Sequence, residues 1–337
     1  MPHPALTHFG TAPDGSDVHL VTLTHAGTTA RVMTYGASLQ DLRIEGVDHA
    51  LVLGAPDFEP YLTKMRYFGA TAGPVANRIA QGRAPLNGTV LELERNENNQ
   101  TMLHSGSNGS SEQNWMLTSF DDRSCVMRLE FADGTGGLPG PIDLTLRYSL
   151  DDEGALLVQI EGTAPVATFC NPAHHSYWTL DGSGSLQDHK LVVQADRYLP
   201  VDETAIPLGA PQDVAGGRFD FRTPRAITRA GEPTLDHNFC LKDPDGSLKI
   251  ACSLWAAGLQ LDVATTEPGL QVYDGAGLDT APILGHENQT YGPRAGLAIE
   301  PQRWPDAPNN PTYPSILLTP GQRYAQLSRF HVHKTDD

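Results

Sequence analysis

The sequence predicts an all-β protein, a large single-domain antiparallel β-sandwich with few short helices. Three observations lead to this fold class: apolar residues alternate with a period of two, tight-turn dipeptides recur along the chain, and helical periodicity is scarce. Strands follow strands without intervening helices, which argues against a βαβ fold and favours a sandwich. The 337 residues contain no internal repeat, low-complexity tract or clear linker, so we expect one domain spanning residues 1–337.

Each predicted strand places its apolar side chains on one face. In chain order, these apolar positions are Cys125, Met127, Leu129 and Phe131, then Ile142, Leu144, Leu146 and Tyr148, then Leu248, Ile250, Cys252 and Leu254, and finally Leu259, Leu261 and Val263. The dipeptides suited to tight hairpin connections are Asp14-Gly15, Asn87-Gly88, Asp133-Gly134, Asp181-Gly182 and Asp245-Gly246. The segment Phe58–Met65 is expected to form one or two helical turns.

Composition limits the partners. Lys and Arg number 23 against 40 Asp and Glu, a net charge of −17, so the surface should repel nucleic acid and anionic membranes. The first residues, MPHPALTHFG, contain no basic region followed by an apolar core, so we expect no signal peptide, and no apolar run approaches the ~20 residues of a membrane span. Cys125 and Cys252 fall on apolar strand positions and no CxxC occurs, which suits a reducing cytoplasm, although a periplasmic protein would look similar.

Two stretches that break the alternation carry histidines. Asn171–Leu180 (NPAHHSYWTL) follows a strand-like run, and an imidazole at a strand end can hold or release a proton near neutral pH. The alternative is a polar strand end without a function. His104 lies in a loop rich in Gly, Ser and Asn, where it is either catalytic or simply solvated.

Three further stretches offer groups that bind or activate hydroxyls. Asn77 and Arg78 present several donors, unless Arg78 is only salt-bridged at a strand end. Asp236 is either an acceptor for sugar hydroxyls or a turn cap. Glu300 ends an apolar run beside Trp304, where its pKa would be raised as a general base requires, unless it is an exposed edge glutamate.

Other chemistries have little support. His331 and His333 share a strand face but have no third ligand at a suitable spacing, so we expect no metal site. The chain contains no GxGxxG, GxxxxGK[ST] or GxSxG motif, so nucleotide binding and serine-esterase chemistry are not indicated.

In their order along the chain, these stretches resemble the aldose 1-epimerase (galactose mutarotase) family over nearly the whole length. The matching segments are TYGASLQDL, FGATAGPVANRI, the LHSG loop, AHHSYWTLDG, LQDHKLVVQADRYLPVDETAIPLG, GGRFDFR, LDHNF, TTEPGLQVYDG and AIEPQRWPDAPN. The resemblance implies a galactose mutarotase-like supersandwich with an open groove. It also implies interconversion of the α and β anomers of a free aldose without a cofactor or metal, in a monomer or weak homodimer.

The resemblance assigns roles residue by residue. It implies that Glu300 is the general base, that His175 is the general acid at the ring oxygen, and that His104 holds and polarises the sugar near that oxygen. Arg78, Asp236 and Gln271 match hydroxyl-binding positions, with Asn77 beside them. We further expect Trp178 and Trp304 to pack against C–H faces of the pyranose.

Several positions depart from the family pattern and leave the preferred sugar open. They are Pro74 in place of arginine, Ser105 in place of glycine, His174 in place of asparagine, and Trp178-Thr179 in place of a Phe-Asn pair. Galactose and glucose are the default substrates, with L-arabinose, xylose and fucose as alternatives. The alternative functions are a sugar-phosphate epimerase, a glycoside hydrolase or lyase using Glu300 and Asp236, and a non-catalytic sugar-binding module.

Overall fold

The computed structural model describes residues 5–228 and 232–335, and these ranges contain 27 strands and six short 3-10 helices. The strands are β1 (Leu6–Thr11), β2 (Asp17–His25), β3 (Thr28–Met33), β4 (Ser38–Ile44), β5 (Ala70–Ala72), β6 (Arg78–Ile79), β7 (Arg83–Leu86), β8 (Thr89–Glu92), β9 (Met102–Leu103), β10 (Met116–Phe120), β11 (Ser124–Phe131), β12 (Ile142–Leu150), β13 (Leu156–Thr163), β14 (Thr168–Phe169), β15 (Ala173–His175), β16 (Tyr177–Trp178), β17 (Lys190–Val193), β18 (Ala195–Tyr198), β19 (Gln212–Asp213), β20 (Arg225–Ala226), β21 (Asp236–Leu241), β22 (Lys249–Ala256), β23 (Leu259–Thr265), β24 (Gly269–Tyr273), β25 (Leu297–Gln302), β26 (Leu317–Leu318) and β27 (Tyr324–Lys334). The 3-10 helices are Glu59–Leu62, Ala80–Gly82, Ser110–Glu112, Thr135–Gly137, His286–Asn288 and Ala307–Asn309.

Three sheets carry most of the structure, and all of their strand pairs are antiparallel. A nine-stranded sheet has the order β10-β11-β12-β13-β27-β23-β22-β17-β20, and a six-stranded sheet has the order β16-β25-β24-β21-β18-β19. A four-stranded sheet, β1-β2-β3-β4, and four two-stranded pairs complete the fold. The all-β prediction is therefore confirmed.

The main core lies between the nine-stranded and six-stranded sheets. Trp178 of β16 stacks on Phe330 of β27, with ring centroids 5.2 Å apart, and aliphatic side chains of β24 and β25 belong to the same buried cluster. Because side chains alternate along a strand, the opposite face of β24 and β25 points away from this core. A second cluster containing Tyr61, Phe68 and Tyr177 packs on part of that outer face. The candidate site lies on this outer face of the six-stranded sheet.

Most predicted strand faces are confirmed, with one exception caused by a bulge. Cys125, Cys252 and Leu254 are fully buried, as the alternation predicts. Leu248 and Ile250 are instead 39% and 46% exposed, so their predicted burial is wrong. The register of β22 against β23 shifts between Ile250 and Cys252, and such a bulge turns the preceding side chains to the other face.

Three of the five predicted turn dipeptides lie between paired strands, and two do not. Asp14-Gly15, Asn87-Gly88 and Asp133-Gly134 lie between paired neighbouring strands, and Asn87 and Gly88 both have positive φ, as a tight hairpin turn requires. Asp181-Gly182 and Asp245-Gly246 connect strands of different sheets, so the hairpins predicted there are wrong. The short helix Glu59–Leu62 lies within the segment expected to be helical. No helix in the described ranges has both the length and the apolarity needed to cross a bilayer.

Candidate active site

His175 and Glu300 meet on the outer face of the six-stranded sheet. The Nε2 atom of His175 lies 3.4 Å from Oε1 of Glu300, and the two residues are only 5% and 2% exposed. His175 is the last residue of β15, so its neighbour His174 points the opposite way, into the core. There His174 contacts the hydroxyl groups of Tyr148 and Ser176. Of the two adjacent histidines, only His175 therefore reaches Glu300.

Burial shifts both members of this pair toward their uncharged forms. It raises the pKa of Glu300 well above its usual range, and Asp236 raises it further while Arg78 opposes the shift. Burial also lowers the pKa of His175 to about 4. Because the two groups are in contact, they titrate as a unit, and across a wide pH range the unit holds one proton.

His104 is held beside His175 by the pairing of β6 with β9. Arg78 lies opposite Leu103 in this pair, and the Asn77 backbone N–H donates to Nδ1 of His104 over 3.1 Å. Burial and the neighbouring His175 hold the pKa of His104 well below its usual value. A neutral imidazole whose Nδ1 accepts a hydrogen bond carries its proton on Nε2. His104 is therefore a neutral hydrogen-bond donor, and its ring centroid lies 5.4 Å from that of His175.

Arg78, Asp236 and Gln271 form a second connected group. The Arg78 guanidinium binds Glu97 through two hydrogen bonds of 2.7 and 2.8 Å, and its Nη1 lies 3.6 Å from Oδ2 of Asp236. The Gln271 amide donates to Asp236 Oδ1 over 2.6 Å. Burial raises the pKa of Asp236, whereas Arg78 and Gln271 oppose the rise. The salt-bridged alternative for Arg78 is therefore confirmed, and its role toward substrate hydroxyls stays a prediction.

The two groups close into one circuit, because Gln271 of β24 lies directly opposite Glu300 of β25. We call this circuit the polar ring and define it by six residues: Glu300, His175, His104, Arg78, Asp236 and Gln271. Within the polar ring, Glu300 and His175 can exchange a proton with each other, and His104 is a fixed neutral donor. The other three members supply donors and acceptors suited to vicinal hydroxyls. The solvated alternative for His104 and the exposed-edge alternative for Glu300 are wrong, since these residues are 6% and 2% exposed.

The expectation for Trp178 is wrong, and that for Trp304 stays a prediction. Trp178 is fully buried between the two large sheets and cannot contact a sugar from there. Trp304 is partly buried, donates from Nε1 to the Pro268 carbonyl oxygen, and packs at 5.0 Å on Tyr313. It also lies over Gly269, two residues before Gln271.

The tyrosines that do lie at the polar ring were missed. The ring of Tyr67 is 4.8 Å from that of His104, and the ring of Tyr177 is 5.1 Å from that of His175. Glu97, the carboxylate that fixes Arg78, was also missed. Tyr67 directly precedes the FGATAG segment and Tyr177 lies two residues after His175, so adjacency to a candidate motif was the available signal.

Ser105 explains one departure from the family pattern. It has φ of 67°, in the left-handed region where glycine is the easiest residue to place. Its hydroxyl accepts from the Val75 N–H over 2.7 Å and donates to the Val75 carbonyl over 3.0 Å. These bonds tie the His104 loop to the segment that carries Asn77 and Arg78, which offsets the strained backbone.

His331 and His333 lie on β27, with ring centroids 5.0 Å apart. Across the part of the chain that the structure describes, no group of three or more His, Cys, Asp or Glu side chains is arranged to hold a metal ion.

Comparison with known proteins gives one consistent result. The family model described as Aldose 1-epimerase matches residues 19–331. The chain is 35% identical to the aldose 1-epimerase of Escherichia coli over 95% of its length and 96% of that protein. It is 36% identical to the galactose mutarotase of Rattus norvegicus, covering 96% of this chain and 97% of that one.

Solved structures agree with the fold. A crystal structure of an aldose epimerase homologue from C. elegans superimposes with a TM-score of 0.88 at 27% identity, covering 94% of this chain and 99% of that one. The galactose 1-epimerase of Lactobacillus acidophilus gives a TM-score of 0.85 at 26% identity, covering 98% of both chains.

Proposed function

Because the chain belongs to the aldose 1-epimerase family, we propose that it interconverts the α and β anomers of free aldoses by proton transfer within the polar ring. The 3.4 Å contact between Glu300 and His175 is the observation that carries this proposal. Anomer exchange needs a base at the O1 hydroxyl and an acid at the ring oxygen, and these two oxygens are bonded to the same carbon. Two proton-exchanging groups in direct contact can reach both.

In the proposed reaction, Glu300 takes the proton of the O1 hydroxyl while His175 gives its proton to the ring oxygen. The bond between C1 and the ring oxygen breaks, and C1 becomes an aldehyde. Rotation about C1–C2 presents the other face of the aldehyde to the C5 hydroxyl. Ring closure returns one proton from that hydroxyl to His175 and the other from Glu300 to O1, so the protein ends as it began.

This cycle uses both proton arrangements of the pair. With the cyclic sugar bound, the active form has a carboxylate and an imidazolium. After ring opening, both side chains are neutral. Burial raises the pKa of Glu300 and lowers that of His175, which favours the neutral arrangement and so supports formation of the open-chain aldehyde. The pair holds one proton throughout, and no proton need enter or leave the site.

The remaining members of the polar ring orient the sugar. Asp236, ion-paired with Arg78, accepts from vicinal hydroxyls, and Gln271 holds Asp236 in place. His104 donates from Nε2 beside the ring oxygen. A sugar phosphate would need additional cations, and the arginines near the matched segments are engaged by carboxylates: Arg78 binds Glu97, Arg222 binds Asp220, and Arg303 lies beside Glu267. This supports an unphosphorylated substrate.

Polarimetry tests the proposal directly. Freshly dissolved α-D-glucose, α-D-galactose, L-arabinose, D-xylose and fucose would each be followed with and without the protein. We expect faster decay of optical rotation to an unchanged end point for at least one sugar. Decay rates that match the protein-free control for every sugar would exclude the proposed activity.

A further inference from the structure

Tyr67 occupies a fixed position at the histidine edge of the polar ring. Its ring centroid lies 4.8 Å from that of His104 and 6.1 Å from that of His175. The Arg66 guanidinium lies 5.5 Å from the Tyr67 ring centroid and is itself ion-paired with Glu112. Contacts with the histidines and with this guanidinium therefore fix the orientation of the phenol.

The hydroxyl of Tyr67 is free to bind a ligand. The residue is half-buried, and its hydroxyl makes no hydrogen bond to any other residue within 5–228 and 232–335. Burial raises the pKa of Tyr67, so the phenol keeps its proton at neutral pH and can donate as well as accept. The Tyr67 hydroxyl takes no part in the proton transfer proposed for Glu300 and His175.

The order of side chains along the polar ring indicates which part of the sugar meets Tyr67. In the proposed reaction, Glu300 serves O1 and His175 serves the ring oxygen. The ring oxygen is bonded to C1 and C5, and C1 lies on the Glu300 side. C5 must then lie away from Glu300, and we assign that side to His104 and Tyr67, whose ring centroids lie 5.4 and 6.1 Å from that of His175. Asp236, Gln271 and Arg78 on the remaining side are left for the hydroxyls of C2 to C4.

We propose that Tyr67 binds the exocyclic hydroxyl carried by the C5 substituent and thereby selects hexoses over 6-deoxyhexoses and pentoses. This inference rests on the proposed function and names the substrate class of the same site. The aromatic ring packs against the histidines whatever sugar is bound, whereas the hydroxyl contributes only when the substrate has a hydroxymethyl group at C5. Removal of the hydroxyl alone separates the two contributions.

The test compares three sugars that share the configuration of D-galactose at C2 to C4. These are D-galactose, D-fucose, which lacks only the 6-hydroxyl, and L-arabinose, which lacks the whole C6 group. For Tyr67→Phe, we expect kcat/KM to fall about three- to tenfold with D-galactose, the range of one net hydrogen bond, and to stay within about twofold with the other two sugars. If D-glucose is the better substrate, 6-deoxy-D-glucose and D-xylose replace the last two.

Two further variants complete the design. Tyr198→Phe removes a hydroxyl that bonds Gln212 outside the polar ring, so it should leave all three sugars unchanged. Tyr67→Ala removes the ring as well and should lower kcat for every sugar.

Equal losses with all three sugars in Tyr67→Phe, or no loss with any, would overturn the assignment of Tyr67. Failure of the proposed function would appear earlier and differently, as an inactive wild-type protein.

Discussion

Two buried glutamates at the six-stranded sheet, one within β25 and one just before the adjacent β24, differ in what faces them. Glu300 in β25 is 2% exposed and Glu267, two residues before β24, is 5% exposed; each has one carboxylate oxygen without a hydrogen bond to a described residue. Burial raises the pKa of both, that of Glu267 to about 7. A cavity of about 660 Å³ lies beside Glu267, within the size range of small-ligand sites. Burial alone therefore does not distinguish the two residues.

The side chain in contact with each carboxyl group distinguishes Glu300 from Glu267. Glu300 faces His175, which can hold or release a proton, whereas Glu267 lies 3.9 Å from the Nε atom of Arg303. A guanidinium stays charged at any ordinary pH, so it can lower the pKa of a carboxyl but cannot exchange a proton with it. Arg303 also packs on the Tyr324 ring at 5.2 Å. A raised carboxyl pKa therefore indicates burial alone, and the contact with a histidine is what makes acid–base exchange available to Glu300.

The largest expected effect is a loss of kcat when Glu300, but not Glu267, is replaced. Glu300→Gln should lower kcat by about 10²–10⁴-fold, since it removes the base while keeping the size of the side chain. Glu267→Gln is the matched control and should leave kcat within about threefold. Polarimetry of both variants gives the values. Comparable losses in the two would mean that burial, not the histidine partner, is the feature that matters.

The second prediction concerns a variant in which Glu300, like Glu267, has no histidine in contact with it. His175→Asn should lower kcat by about 10²–10³-fold with a smaller change in KM, because the lost proton is needed only as the ring opens. The adjacent His174→Asn serves as control. It should keep near wild-type kcat and lower the free energy of unfolding by about 1–2 kcal/mol through its lost buried hydrogen bonds. A change confined to KM in His175→Asn would rule out the acid role.

The third prediction concerns the pH dependence of kcat/KM. The active pair holds one proton, so activity should fall when a second proton binds. Because burial lowers the pKa of His175 to about 4, this acid limb should lie near pH 4 and not near the ordinary histidine value of 6.5. Glu267→Gln should leave the profile unchanged. Return to neutral pH after each acid measurement should restore activity, and a reversible limb near 6.5 would contradict the assignment.

The smallest effect is on stability. The pKa of Glu267 rises from 4.5 to about 7 on folding, so the folded protein binds the extra proton in this window. Its stabilising contribution is complete below pH 4.5 and is lost as pH rises toward 7, by about 1 kcal/mol per pH unit. Glu267→Gln should lower the pH slope of the unfolding free energy by this amount, as urea unfolding between pH 5 and 8 would measure. Exposed Glu130→Gln should keep the wild-type slope, and an unchanged slope in Glu267→Gln would contradict the raised pKa.

Local patterns predicted much of the site but not its orientation. Glu300 ends an apolar run and His175 lies in the polar stretch Asn171–Leu180, so both stretches were candidates, and the family resemblance selected His175. Trp178 was assigned to the sugar as an aromatic neighbour of the histidines that could stack on it, yet it faces the core. Tyr177 and Trp178 are both aromatic, so alternation alone could not tell which faces the sandwich interior. The single-domain organisation and the individual catalytic roles stay predictions.

The sequence by itself determined the fold class, because alternation of apolar residues and the absence of helical periodicity are local properties of the chain. It also determined which residue types were available for acid–base chemistry. Only the tertiary structure decided that Glu300 meets His175 while Glu267 meets Arg303, and that Tyr67 lies against both histidines. Such contacts join residues from separate strands and loops, and their distances depend on how the sheets and loops pack, which no single segment encodes.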